Sequence, residues 1–341
     1  MVQPSSSVVR TRDCGGVSRD INLRQFIDRE NPMRLGYDQP LYLLPFDHRK
    51  SYLTEIFHFS APLTPEQQSA VIDSKAVIYD GFRQALGHGV PVADAGILID
   101  EEFGADVLRD ATRNGYVTAL STEKSGSAEF ELEYGEQFAS HIASFRPTFA
   151  KALVRFNPEG DADANQRQTA RLKQLSDYCR TVRQPFMVEL LVPPTAAQLD
   201  QAHGFKTTFD LRMRPALMLQ AMRVLQDAGI QPDVWKIEGL DRRRDCEHIV
   251  ATARRGGRKN VGCIVLGDHT EEEEVVRRLE TAACVPGFIG FAVGRATFWQ
   301  AIAAYVAKQV TRAEAVSLVA RRYREWVGVF ERARASQVKT A

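Results

Sequence analysis

The chain has 341 residues, 44% of them hydrophobic and 26% charged, the balance of a soluble globular protein. Lys and Arg total 44 against 43 Asp and Glu, so no global charge draws it to nucleic acid or an anionic membrane. No apolar run is long enough to span a bilayer, and residues 1–12 are polar and Ser-rich, without the apolar stretch of a signal peptide. Five cysteines (Cys14, Cys179, Cys246, Cys263, Cys284) show no CxxC spacing, which argues for a reducing cytoplasm over a disulfide framework or a zinc knuckle.

Residues 1–36 are punctuated by Ser, Pro and Gly and read as a disordered or loosely attached tail. The remainder, 37–334, alternates. Apolar runs of strand length begin near Leu41, Ala95, Val117, Ala150, Phe186, Val234, Val261 and Phe288. Between them lie segments of helical period, such as Leu172, Leu175, Cys179 and Val182, or Leu217, Ala221, Val224 and Leu225. Strands that are apolar on both faces belong to parallel sheets. Eight strand–helix pairs predict a single (β/α)8 barrel. A doubly wound open sheet is the competing architecture, but no GxGxxG follows any strand. Residues 311–334 alternate basic and apolar positions beyond the barrel's need and predict extra C-terminal helices, packed beneath the barrel or against a second subunit of a homo-oligomer.

In such a barrel the chemistry sits where strands end. Strand 1 ends in Asp47, His48 and Arg49; strand 4 holds Lys151 and Arg155; strand 5 holds Glu189; strand 6 holds Lys236 and Glu238. Val234, Lys236 and Glu238 share one face, while Trp235 and Ile237 share the bulky outer one, so Lys236 points inward. Lysine is seldom buried without a partner or a task. Lys151 lies in the neighbouring part of the ring with Glu189 between, and two cations about 6 Å apart repel by ~2–3 kcal/mol at an effective dielectric near 20. That is about two pKa units, enough to bring an amine from ~10.4 towards 8 and make it a nucleophile for a carbonyl. Gly267 ends strand 7 and Gly294-Arg295 ends strand 8, where backbone N–H groups and a guanidinium can cradle a phosphate. The run Asp100, Glu101, Glu102 reads as a helix start, and a metal site at His48, Asp268 and His269 has no HxH or HExxH spacing behind it, while Asp47 with Asp268 and His269 is the set a metal-assisted lyase would use.

Five stretches carry a resemblance: PFDHR (45–49), ILIDEEFG (97–104), EKSG (123–126), VWKIEG (234–239) and FAVGRATFW (291–299). From about Tyr42 to Trp326 the chain resembles the aldolase domain fused behind a sugar kinase in bacterial inositol catabolism. More remotely it is similar to the class I tagatose-bisphosphate aldolases. The resemblance implies a cytoplasmic, metal- and cofactor-free aldolase in which Lys236 forms the Schiff base, with Lys151, Glu189 and Asp47 beside it. Gly267, Gly294 and Arg295 would hold a substrate phosphate and Arg49 a carboxylate or second phosphate. Where those relatives carry a serine in strand 7, this chain reads Leu266-Gly267-Asp268. The implied substrate is 2-deoxy-5-keto-gluconate 6-phosphate, cleaved to dihydroxyacetone phosphate and malonate semialdehyde; a fructose- or tagatose-bisphosphate is the alternative. Two other readings stay open: a metal-assisted lyase, and a phosphosugar-binding barrel without chemistry.

Overall fold

A computed structural model describes residues 36–267 and 271–338. The tail expected over 1–36 therefore lies almost wholly outside the described residues, as do Asp268 and His269. Eight parallel strands close into a barrel in chain order: β1 (Leu41–Pro45), β2 (Ala95–Ile99), β3 (Val117–Ser121), β4 (Phe149–Arg155), β5 (Phe186–Leu191), β6 (Val234–Glu238), β7 (Gly262–Gly267) and β8 (Phe288–Val293). The helices are α1 (Lys50–Tyr52), α2 (Pro65–Gly87), α3 (Glu101–Arg113), α4 (Phe138–Phe145), α5 (Ala162–Val182), α6 (Ala196–Gln201), α7 (Lys206–Arg212), α8 (Arg214–Asp227), α9 (Arg243–Ala253), α10 (Glu272–Ala283), α11 (Arg295–Val306) and α12 (Arg312–Val338). This is the (β/α)8 barrel expected from the alternation. No described helix is long and apolar enough to cross a membrane.

The pleat sorts the apolar residues into two cores. Leu41, Leu43, Leu98, Val117, Ala119, Phe149, Met187, Val234, Ile264, Ile289 and Ala292 plug the lower interior of the ring. Their neighbours along the strands, among them Tyr42, Ile97, Ala150, Ala152, Val154, Trp235 and Ile237, face the helices. Closure between β8 and β1 needs a close backbone approach at Gly290, where a Cβ would sit 1.8 Å from the Leu41 carbonyl oxygen. Helices begin where short polar side chains satisfy free N–H groups. Thr64 and Thr195 each form a reciprocal cap with the glutamine three residues on, and Asp100 and Asp161 cap α3 and α5.

The extra C-terminal segment is one helix, not several. α12 packs on the outer flank of the β8–β1 seam, against α2, α10 and α11. Tyr323, wholly buried, donates to the Tyr42 carbonyl at 2.6 Å, Trp326 donates to Thr297 Oγ1 at 3.1 Å, and Phe330 meets the rings of Tyr42 and Phe291. Its apolar stripe therefore covers the side of the barrel; the placement beneath the barrel is not what is found.

Candidate active site

The strand registers decide which side chains meet. Glu189 lies opposite Lys236 on β6 and opposite Leu153 on β4. Lys151 starts two residues below Leu153 on the same face, one pleat repeat or about 6.6 Å deeper. Its long side chain reaches up from the apolar plug. The Nζ of Lys151 then contacts Asp47 Oδ2 at 2.8 Å, Glu123 Oε1 at 2.6 Å and Glu189 Oε2 at 2.7 Å. Lys236 Nζ contacts the other Glu189 oxygen at 2.9 Å. Neither amine faces bulk water: Lys151 is 0% and Lys236 2% exposed. The structure thus brings Asp47, Lys151, Glu189 and Lys236 into one cluster.

Burial alone would raise the Asp47 carboxyl, but the ammonium groups of Lys151 and then Lys236 hold it far below the usual carboxylate range. Glu189 is displaced the same way, downward, by the same two cations against its own burial. Burial works to lower the Lys151 amine, yet Asp47, Glu123 and Glu189 outweigh it, and Lys151 is raised well above an ordinary lysine. This corrects the repulsion argument drawn from spacing. Two ammonium groups face three carboxylates, a sum of −1, so Lys151 is no isolated like charge acting on Lys236. What separates the amines is partnership. Among the described residues Lys151 has three carboxylates, whereas Lys236 has one, and that one is shared.

Glu123 is the site residue that spacing did not single out. It sits just past β3, where Ser121 Oγ donates to its Oε1 at 2.8 Å and the Leu153 N–H to its Oε2 at 3.2 Å. The stretch EKSG was the signal available for it. Arg49 differs from expectation. Its guanidinium is buried, bonded to Glu133 Oε2 and to the Glu123 carbonyl, with Ser121 Oγ at 3.5 Å. The carboxylate it meets is therefore the protein's own, and its effect is to pin the loop carrying Glu123.

Gly267 pairs with Val293 at the ends of β7 and β8. At Gly294 a Cβ would lie 2.4 Å from the Pro45 carbonyl oxygen, so glycine is required where β8 passes over the end of β1. Arg295 opens α11, stacked 4.1 Å over the Trp299 ring and paired with Glu55 at 2.9 Å. All three lie at the barrel mouth. Asp100 accepts from the Phe103 N–H at 2.9 Å as a helix cap and forms a wholly buried ion pair with Lys75 of α2. Lys75 also donates to the His48 carbonyl at 3.1 Å, bracing the turn that presents Asp47. Burial, with Arg295 and Lys236 nearby, pushes the His48 ring down to about 4 against the pull of Asp47. Among the described residues no group of three or more His, Cys, Asp or Glu is arranged to hold a metal.

The arrangement of the chain is found elsewhere. A crystal structure of an archaeal fructose 1,6-bisphosphate aldolase aligns with 86% of this chain and 94% of its own at 12% identity and a TM-score of 0.55. A second archaeal fructose-1,6-bisphosphate aldolase, described with its catalytic Lys covalently bound to the carbinolamine intermediate of the substrate, aligns over the same shares at 12% identity and 0.52. At such identities the likeness is one of fold. In sequence, tagatose 1,6-diphosphate aldolase 1 of Streptococcus mutans is 24% identical over 151 residues, which are 42% of this chain and 43% of that protein. The chain spans less than half of that relative's length. A family model matches residues 15–334, the whole of the barrel, and the chain belongs to that family, described as an uncharacterized protein conserved in bacteria (DUF2090).

Proposed function

We propose that this barrel is a class I aldolase, a carbon–carbon lyase acting on a phosphorylated keto-sugar or keto-acid through an imine on Lys236. One observation carries the reading: an almost wholly buried amine with, among the described residues, a single carboxylate partner, Glu189, whose second oxygen is anchored by Lys151, an amine raised well above an ordinary lysine. Glu189 at 2.9 Å takes the proton that Lys236 must lose, and the free amine adds to the substrate ketone. The carbinolamine hydroxyl leaves as water with a proton returned from Glu189. Asp47 then accepts the proton of the substrate hydroxyl, the C–C bond breaks, and its electron pair flows into the iminium to give an enamine. Protonation of the enamine and hydrolysis release the second product and restore the amine. Lys151 keeps Asp47 and Glu189 ionised and steadies developing negative charge. Gly267, Gly294 and Arg295 take the phosphate; Arg49 positions Glu123.

Within this class the inositol-pathway substrate, 2-deoxy-5-keto-gluconate 6-phosphate, is supported by the sequence stretches named above, and it gives dihydroxyacetone phosphate and malonate semialdehyde. Free thiols at Cys179, Cys246, Cys263 and Cys284 accord with a cytoplasmic enzyme. Borohydride reduction in the presence of dihydroxyacetone phosphate, followed by peptide mass analysis, tests the reading. The expected adduct lies on the peptide holding Lys236 and disappears in Lys236→Ala; an adduct on Lys151 reverses the two roles. A chelator leaves cleavage unchanged, whereas a metal-assisted lyase loses it. Arg295→Ala raises KM about 10- to 100-fold for phosphorylated substrates, the worth of a charge-assisted contact.

A further inference from the structure

β4 is the longest strand of the barrel at seven residues and carries an arginine at its tip. Ala150, Ala152 and Val154 face the outer core, while Phe149 and Lys151 face inward, so Arg155 stands on the inward face. It pairs with Leu191, two residues beyond the Leu153–Glu189 pairing, about 6.6 Å nearer solvent than the Glu189 layer. Its backbone is fixed. Gln168 Nε2 donates to the Arg155 carbonyl at 3.0 Å, and the next N–H, of Phe156, bonds the Leu191 carbonyl at 2.9 Å. Its guanidinium, by contrast, is exposed and has no hydrogen bond or ion pair among the described residues. Four cations at this end are engaged: Arg49 with Glu133, Lys75 with Asp100, Arg214 with Glu238, Arg295 with Glu55.

The inner cluster sums to −1 and by itself repels an anion, so an anionic substrate needs attraction from the rim. Strand order places that attraction on both sides of the reacting amine. Lys236 is on β6, two strands from Arg155 on β4 and two from the Gly294-Arg295 end of β8. We propose that Arg155 binds an oxyanion at the end of the substrate remote from Gly294 and Arg295, so that the substrate is a keto compound anionic at both ends, with the carbonyl that meets Lys236 between them. The assignment of the middle position rests on the aldolase reading; the second anion site does not. A terminal carboxylate and a second phosphate share the chemistry that Arg155 recognises, a pair of oxygens facing a planar two-pronged donor.

Binding of three six-carbon compounds that lack a ketone, and so cannot form an imine, tests the proposal by calorimetry. Hexitol 6-phosphate has one anionic end, hexitol 1,6-bisphosphate two, and gluconate 6-phosphate a carboxylate at the second end. The wild-type protein is expected to bind at least one two-ended ligand about 10- to 100-fold more tightly than hexitol 6-phosphate. Whichever gains more identifies phosphate or carboxylate as the natural group. Arg155→Met removes that advantage, and Arg155→Lys, which keeps the charge but loses the fork, restores part of it. Equal weakening of all three ligands by Arg155→Met, or no wild-type preference for a second anion, overturns the proposal. Borohydride trapping on the wild-type protein judges the aldolase reading separately: its failure leaves the binding ratios free to support or refute the site at Arg155.

Discussion

Replacing Lys151 by methionine keeps the volume of the side chain and deletes the one charge that three carboxylates share. The ammonium is wholly buried, with Glu123, Glu189 and Asp47 oxygens at 2.6, 2.7 and 2.8 Å. Removing one partner of a buried ion pair costs about 3–5 kcal/mol, a large part of a typical total of ~5–15 kcal/mol. The sign of the pH dependence distinguishes this from an ordinary cavity. In the wild-type protein Asp47 and Glu189 titrate below their unfolded values, so their contribution is fully present above the ordinary carboxylate range and is lost only as pH falls towards the folded values. Between about pH 5 and pH 8 it is level. In Lys151→Met the carboxyls of Asp47 and Glu189 stay buried without their main counter-cation, and the folded state takes up a proton that the unfolded state does not hold. Stability then rises as pH falls, by about 1.4 kcal/mol per pH unit for each proton taken up. Urea unfolding at about pH 5, 6, 7 and 8 measures both quantities. Adding Glu123→Gln should recover part of the loss, because one buried negative charge goes with it. A loss under about 1 kcal/mol at neutral pH, with a flat profile, would refute the claim that this amine holds the three carboxylates together.

The second buried pair behaves likewise. Lys75→Met leaves the Asp100 carboxylate without its cation inside the protein and should cost about 3–5 kcal/mol, much of it regained in the double variant with Asp100→Asn, which keeps an oxygen for the α3 cap; additive losses in urea unfolding would contradict direct coupling. Gly290→Ala forces a Cβ to within 1.8 Å of the Leu41 carbonyl and should destabilise the barrel by at least about 2 kcal/mol in thermal unfolding, with a smaller loss meaning that the seam can open. The His48 ring, lowered to about 4 by burial, should stay neutral through physiological pH in an NMR titration. Its linked contribution is lost as pH falls from about 6.5 towards that value, and a midpoint near 6.5 would show the ring to be solvated.

How much of this was legible follows from what a linear pattern encodes. Strands buried on both faces leave continuous apolar runs, so all eight were readable with small errors at their ends; β4 begins at Phe149 and β7 at Gly262, one residue from the starts read at Ala150 and Val261. The inward aim of Lys236 is readable too, because the pleat alternates and the apolar pair Trp235 and Ile237 marks the face that packs against the helices. Long-range charge partners were not. Arg49 meets Glu133 across 84 positions and Glu123 meets Lys151 across 28, with no periodicity joining either pair. Glu123 lies past the end of β3, in the place where a solvent-facing loop residue is expected, and only the folded ring turns it inward.

The presence of Glu123 beside Lys151 changes the electrostatics of the ring in kind. Two lysines considered alone repel, and repulsion is a reason for one of them to give up a proton. Carboxylates from the ends of β1 and β3 and from within β5 all converge on the deeper amine because a closed ring aims its inward side chains at a common axis, whatever their separation in sequence. Lys151 is thereby committed to remaining charged, and its work is to keep Glu189 ionised. In the mechanism we propose, the ionised Glu189 in contact with Lys236 is the acceptor for the amine's proton, so the proton leaves through the carboxylate at its side and not under the push of the cation below it. On this account Glu189→Gln, which keeps the contact but not the basicity, should slow imine formation more than any change at Lys151 that preserves the fold.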